Sequence, residues 1–238
     1  MTRLIIKEYC ADWRERLRSV LGGMKWFPYV YAVFLCPVLM SPVDSTDVWY
    51  YIEMGTLMLC FVIMRMFPLH LCKTMFLCPL DGEQRLEYLK KAYRLKVWFC
   101  VGICAAANAA VVAGGMVTAG MAAVLFFFQA ILAPALGLYM DEAFQYGRYQ
   151  TWIKTNLVGY AFCMTMAGMG GVMNVLVWLV WGVTGEIAQF TVFGRILLLL
   201  MALFQIFMTL LCVCRYRKRV LAAAADYVNT YLVWDEKE

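Results

Sequence analysis

The sequence predicts an all-α, polytopic membrane protein with about six transmembrane helices. Of the 238 residues, 64% are hydrophobic and 16% are charged, and the mean hydropathy is +0.70. A soluble domain is typically ~45–50% apolar and ~25% charged. Apolar stretches near the ~20 residues needed to cross a bilayer recur along the chain. Helices are the predicted form because each backbone N–H and C=O group in hydrocarbon must be paired.

Six stretches are predicted to span the membrane, at about 26–42, 48–67, 95–117, 120–140, 156–182 and 194–214. The first is short and carries three prolines, and the fifth is long and rich in glycine. We treat 1–238 as one transmembrane domain, in which an interfacial helix (1–25) precedes the spans (26–214) and a cytoplasmic tail (215–238) follows them.

The orientation follows from the basic residues. Of the 21 Lys and Arg, all but Arg195 lie in the N-terminal segment, in 65–96, in 141–155 or in the tail. Cytoplasmic connections carry the excess of positive charge in membrane proteins. The pattern predicts an even number of spans, cytoplasmic N and C termini, and a multi-pass location in the cell membrane.

Both ends of the chain carry helical patterns. Apolar residues recur at three- to five-residue steps over 3–24, and basic residues lie off that stripe, which is typical of an amphipathic helix in the headgroup plane. The basic tail from Arg215 is predicted to form a helix along the inner surface or on a partner.

Polar residues within the spans form a second set of candidates. Glu53, Asn108 and Asn174 define a possible intramembrane polar site, and Gln129 and Gln205 are further amides in different spans. Such groups face other helices or a substrate path, because an unpaired polar group in hydrocarbon is costly. Three roles are possible for Glu53: contact with a substrate or a proton, a position at the membrane interface, or pairing with another helix.

Small residues and cysteines complete the intramembrane pattern. Ala105, Ala109 and Ala113 repeat at four-residue steps, which is typical of close helix contacts within or between subunits. The ten cysteines include no Cys-x-x-Cys pair, and His70 is the one histidine. We therefore predict no metal site and assign the cysteines to apolar packing.

The connection 68–96 has a more specific pattern. Pro79 interrupts the preceding segment, Asp81 is a good N-cap, and Gln84 can complete a capping box. The helix that starts there is predicted to lead directly into the third span. A cytosolic element would then be joined rigidly to a membrane helix.

This connection resembles the coupling segment of bacterial ABC exporter permeases, the membrane-spanning subunits of the six-span, separate-ATPase kind. The run 77–85, Leu-Cys-Pro-Leu-Asp-Gly-Glu-Gln-Arg, is similar to the stretch after the second span that docks on the ATP-binding subunit. The order of an amphipathic helix, two spans, a coupling loop and four spans is also similar. The order of the elements is similar over most of the chain, whereas the sequence motif is similar over about fifteen residues.

The resemblance implies a permease subunit that couples ATP hydrolysis by a separate polypeptide to export. It implies a homodimer or a heterodimer with a second permease. Membrane lipid but no nucleic acid is predicted as a partner, because the basic residues lie beside apolar spans. The chain has no Gly-x-x-x-x-Gly-Lys-Ser/Thr loop, so it would bind no cofactor and ATP would sit on the partner. The residues implied in coupling are Leu77, Pro79, Leu80, Asp81, Glu83 and Arg85.

Two alternatives have the same size and layout. One is a substrate-capture or accessory membrane subunit of an importer, although the elaborated basic loop after the second span fits a permease better. The other is a membrane enzyme. The sequence contains no Gly-x-Ser-x-Gly or His-Glu-x-x-His motif, so we identify no catalytic residues.

Overall fold

The computed structural model is mostly helical in its described part, where no residue lies in a strand. The described residues are 2–11, 52–53, 55–57, 59–61, 63–64, 67, 69, 71, 80–138, 159, 162–163, 166–169 and 192–225. The predicted all-α class is thereby confirmed for this part of the chain.

Four helices have defined bounds: α1 (Thr2–Ala11), α2 (Gly82–Ala113), α3 (Ala119–Leu136) and α4 (Val192–Ala225). Among the described residues, α2, α3 and the Leu199–Ala225 part of α4 are long and apolar enough to cross a membrane. With 32 residues, α2 is about 48 Å long at 1.5 Å per residue. It therefore exceeds the ~30 Å hydrocarbon core of a bilayer, and its charged first turns can extend beyond it.

Local sequence signals fix where α2 begins. Asp81 is the N-cap, and its N–H donates to Gln84 Oε1 at 3.3 Å, as the capping box predicts. Helix α2 is continuous from this cap into the apolar part, so the predicted rigid connection is confirmed.

A tight turn over 114–118 joins α2 to α3. Gly115 has φ +68°, a conformation that L side chains rarely adopt. Thr118 then caps α3 by accepting from the Met121 N–H at 3.4 Å. The two helices therefore form an antiparallel hairpin.

The basic ends of α2 and α4 lie at the same end of the bundle. Tyr93, in the charged part of α2, lies within electrostatic reach of Cys212 and Arg217 of α4. Because the charged residues of α2 are near its start and four of the five in α4 lie at 215–219, near its end, the two helices run in opposite directions.

Two further helical segments have described positions at 52–64 and 159–169. Glu53 contacts Gln129, whose partner is Asn108, whereas Cys60 contacts Cys104, so the first segment runs antiparallel to α2. The second segment runs antiparallel to α4, because Gly159 lies against Tyr216 whereas Cys163 lies within electrostatic reach of Cys212. Successive described segments thus alternate in direction.

The predicted end of the last span differs from the structure, and the predictions for the N-terminal part are described only in part. Helix α4 does not end at 214 but continues without a break to Ala225, so 215–225 is not a separate surface helix. Among the positions of α1 whose burial is described, Ile5 is buried, and Arg3 and Lys7 are exposed as expected. The interfacial helix beyond Ala11 and the first predicted span lie outside the described residues.

The small-residue stripe of α2 lies on an exposed face of the helix. Ala105, Ala109 and Ala113 are exposed within the described part of the chain. The face of α2 that packs inward instead carries Cys100, Cys104, Asn108 and Val111. This exposure favours the second of the two predicted alternatives, contact with another subunit, over contact within the subunit.

Candidate functional site

A chain of polar side chains crosses the interior of the bundle. Gln129 of α3 donates through Nε2 to Glu53 Oε2 and accepts through Oε1 from Asn108 Nδ2 of α2 at 2.8 Å. Asn108 Nδ2 also donates to the Cys104 carbonyl at 2.8 Å. All three side chains are buried, and Glu53 is 0% exposed. The structure therefore joins two of the predicted polar residues, Glu53 and Asn108, through Gln129.

The polar chain leaves two oxygen atoms without partners. Glu53 Oε1 and Asn108 Oδ1 are buried and have no hydrogen-bond partner among the described residues. Both N–H groups of the Asn108 amide are already used, one on Gln129 and one on the helix backbone. An unpaired buried polar atom costs about 1–3 kcal/mol. The two unpaired atoms of the polar chain are thus both hydrogen-bond acceptors.

A second amide binds α4 to α3. Gln205 is 0% exposed, and its Nε2 donates to the carbonyl of Phe128 at 3.0 Å. One turn further along α4, the Thr209 side chain is buried, and its hydroxyl has no partner among the described residues. The prediction that the span amides face other helices is thus confirmed for Asn108, Gln129 and Gln205.

Three buried thiols lie next to the polar chain. Cys60 Sγ is 3.7 Å from Cys104 Sγ and also contacts Cys100. The distance is a van der Waals separation, well above the ~2.05 Å of a disulfide. The described residues contain no group of three His, Cys, Asp or Glu that could hold a metal ion. The thiols pack as small apolar groups, and both Cys100 and Cys104 lie on the inward face of α2, as predicted.

A buried lysine is a feature that the sequence analysis missed. Lys96 is 4% exposed, and its Nζ has no partner among the described residues. It had been counted with the basic connection, yet it stands four residues before Cys100 and twelve before Asn108. Residues four apart lie on the same face of a helix, so the position of Lys96 four residues before Cys100 could have revealed it.

The predicted coupling residues are described in part. Leu80 is half-buried, Asp81 and Glu83 are exposed, and Arg85 Nε donates to the Leu80 carbonyl at 3.0 Å. Leu77, Pro79 and the intramembrane candidate Asn174 lie outside the described residues. The described coupling residues are at the start of α2, far along the helix from Asn108.

Fold and site together define a helical bundle with a buried polar chain and three helices that could cross a membrane, which is compatible with a membrane protein. Comparisons with protein-family models, curated proteins and solved structures gave no match to this chain.

Proposed function

We propose that this chain is the membrane permease subunit of an ABC transporter, acting as an exporter in the cell membrane. It would have six spans, both termini in the cytoplasm, and no ATPase activity of its own. A separate ATP-binding subunit would dock on residues 77–85 and drive substrate translocation.

The observation that carries the proposal is the continuity of α2. One unbroken helix starts at the capped Asp81 and holds Asn108 of the buried polar chain. Asn108 follows Asp81 by 27 positions, a distance of about 40 Å along a helix. A displacement at the cytoplasmic end would reach the interior of the bundle, because a continuous helix moves as a rigid element.

The start of α2 has the form of a docking surface. Residues 81–84 are exposed, and the capping box and the Arg85–Leu80 bond fix their backbone. The surface is therefore pre-organised, and a partner that binds it would lose little conformational freedom on binding.

The exposed small-residue stripe supports a second permease as a partner. Ala105, Ala109 and Ala113 form a face of α2 on which another helix backbone could approach closely. In this proposal the stripe lies between two permeases, whether these are identical or different.

The proposal is tested with the full-length tagged chain purified from its own membranes in mild detergent. We expect an ATP-binding subunit to copurify, and the complex to hydrolyse ATP in proteoliposomes. Leu80→Asp and Glu83→Arg should lower ATP hydrolysis at least tenfold, because they change the apolar and acidic contacts of the docking surface.

The matched control is Arg94→Ala, an exposed position on the same helix three turns further along. This variant should keep the wild-type ATPase rate. Copurification of no ATP-binding protein, or an intact and active complex in both docking variants, would refute the proposed function.

A further inference from the structure

The polar chain of Glu53, Gln129 and Asn108 has an excess of acceptors. Its identified hydrogen bonds run towards Glu53, from Asn108 to Gln129 and from Gln129 to the carboxylate. The atoms left over are Glu53 Oε1 and Asn108 Oδ1, which both accept and cannot pair with each other. Within the described part of the chain, these two oxygens therefore lack a donor.

The size and number of the open atoms restrict what this donor can be. Mg²⁺ needs six ligands and Ca²⁺ six to eight oxygen ligands, whereas the chain leaves two oxygens free. The described residues also contain no cluster of three His, Cys, Asp or Glu side chains that could hold a metal ion. A single proton needs no cavity and supplies the one donor that two acceptors require.

We propose that Glu53 is a proton-binding site, with Asn108 Oδ1 as the acceptor for the bound proton. A proton from water adds to Glu53 Oε1, and the carboxylate becomes a neutral carboxylic acid. Its O–H donates to Asn108 Oδ1, so one proton satisfies both open oxygens and removes the buried charge. This inference does not rest on the proposed transport function.

Among the described residues, Glu53 is the side chain of this site that would carry the proton. The titratable group within electrostatic reach of Glu53 in the described part of the chain is the Cys104 thiol, beside Cys60. Helix α3 contains no ionisable side chain. Lys96 stands twelve residues before Asn108, about 18 Å along α2. No basic side chain in the described part of the chain is therefore placed to pair with the Glu53 carboxylate in place of the proton.

The test is infrared difference spectroscopy on the full-length protein in lipid nanodiscs, stepped in pH over the range in which the protein stays folded. We expect the C=O band of a protonated, hydrogen-bonded carboxylic acid, and we expect Glu53→Gln to abolish it. Glutamine has the shape of the neutral acid and keeps a donor towards Asn108. The exposed Glu83→Gln is the matched control and should leave the band unchanged.

A second variant tests the acceptor. It also provides an independent test if Glu53→Gln is poorly expressed. Asn108→Leu removes Oδ1 while Glu53 stays, so the band should move to the higher frequency of an acid with a weaker hydrogen bond. A band that survives Glu53→Gln, or the absence of any such band in the wild-type protein, would overturn the proposal. Loss of the band on exchanging N-methylglucamine for Na⁺ would also overturn it, because a metal ion would then be the occupant.

Discussion

The Tyr93 hydroxyl donates a hydrogen bond to the carbonyl oxygen of Pro134 at 3.1 Å, which ties the charged part of α2 to the end of α3. Helix α3 ends at Leu136, so this carbonyl belongs to the last turn and has no partner within the helix. The carbonyls of Ala133 and Ala135 accept instead from Gly137 and Leu138. Tyr93 therefore completes the cap of α3 from a different helix.

Removing this hydroxyl should destabilise the bundle. Tyr93→Phe leaves the Pro134 carbonyl without a donor in an apolar setting, and we expect the free energy of unfolding to fall by about 1–2 kcal/mol. Reversible unfolding in mixed micelles measures the change. Phe127→Leu, at an exposed ring of α3, is the control and should have a much smaller effect. Equal losses in both variants would contradict a specific role for the hydroxyl.

The close approach of α2 to the end of α3 depends on Gly137. A Cβ atom there would lie 2.7 Å from Val97 Cγ2 and 3.1 Å from Tyr93 Cε2. We expect Gly137→Ala to lower the free energy of unfolding by about 1–3 kcal/mol, since the helices must separate. Gly102→Ala, where no atom lies within 4 Å, should be neutral or stabilising. If the double variant Gly137→Ala, Val97→Ala partly recovers the free energy of unfolding, the steric clash lies between the new Cβ atom and Val97.

The polar chain should depend on its central member. Gln129→Leu removes the donor to Glu53 and the acceptor for Asn108, and we expect a loss of roughly 3 kcal/mol in the free energy of unfolding. A double-mutant cycle with Glu53→Leu should show coupling, because the double variant leaves no buried carboxylate. Additive losses in the cycle would mean that the two side chains do not interact in the folded protein.

The buried ammonium of Lys96 should be a source of instability. Methionine has a similar length and carries no charge, so Lys96→Met should raise the free energy of unfolding by on the order of 1 kcal/mol. The exposed Lys90→Met is the control and should change it little. A strong destabilisation by Lys96→Met, measured in the same unfolding assay, would instead indicate an essential polar contact of the ammonium.

The proposed orientation can be tested at Cys10, which is exposed on α1. A membrane-impermeant maleimide should label it in inverted vesicles and not in intact cells. The labelling of Cys10 is measured as the difference between the wild-type protein and Cys10→Ser. The other cysteines therefore need not be changed. Labelling of Cys10 in intact cells would place the N terminus outside and contradict the cytoplasmic orientation.

Part of the site could be predicted from the sequence. Glu53, Asn108, Gln129 and Gln205 stand out because polar groups in apolar spans must find partners. Which groups meet was not predictable, because that depends on the rotation and offset of helices far apart in sequence. Lys96 is different, since its charge suggests a loop while its register on α2, four residues before Cys100, already indicates the inward face where it is buried.

The sequence by itself determined the helical class, the cap at Asp81 and the apolar composition of three helices, because hydrogen bonds within a helix and hydropathy are local properties. Only the tertiary structure decided that Gln129 joins Glu53 to Asn108, that α4 continues to Ala225, and that Ala105 faces outward. These features depend on how helices pack against each other, and side chains from distant segments set that packing together.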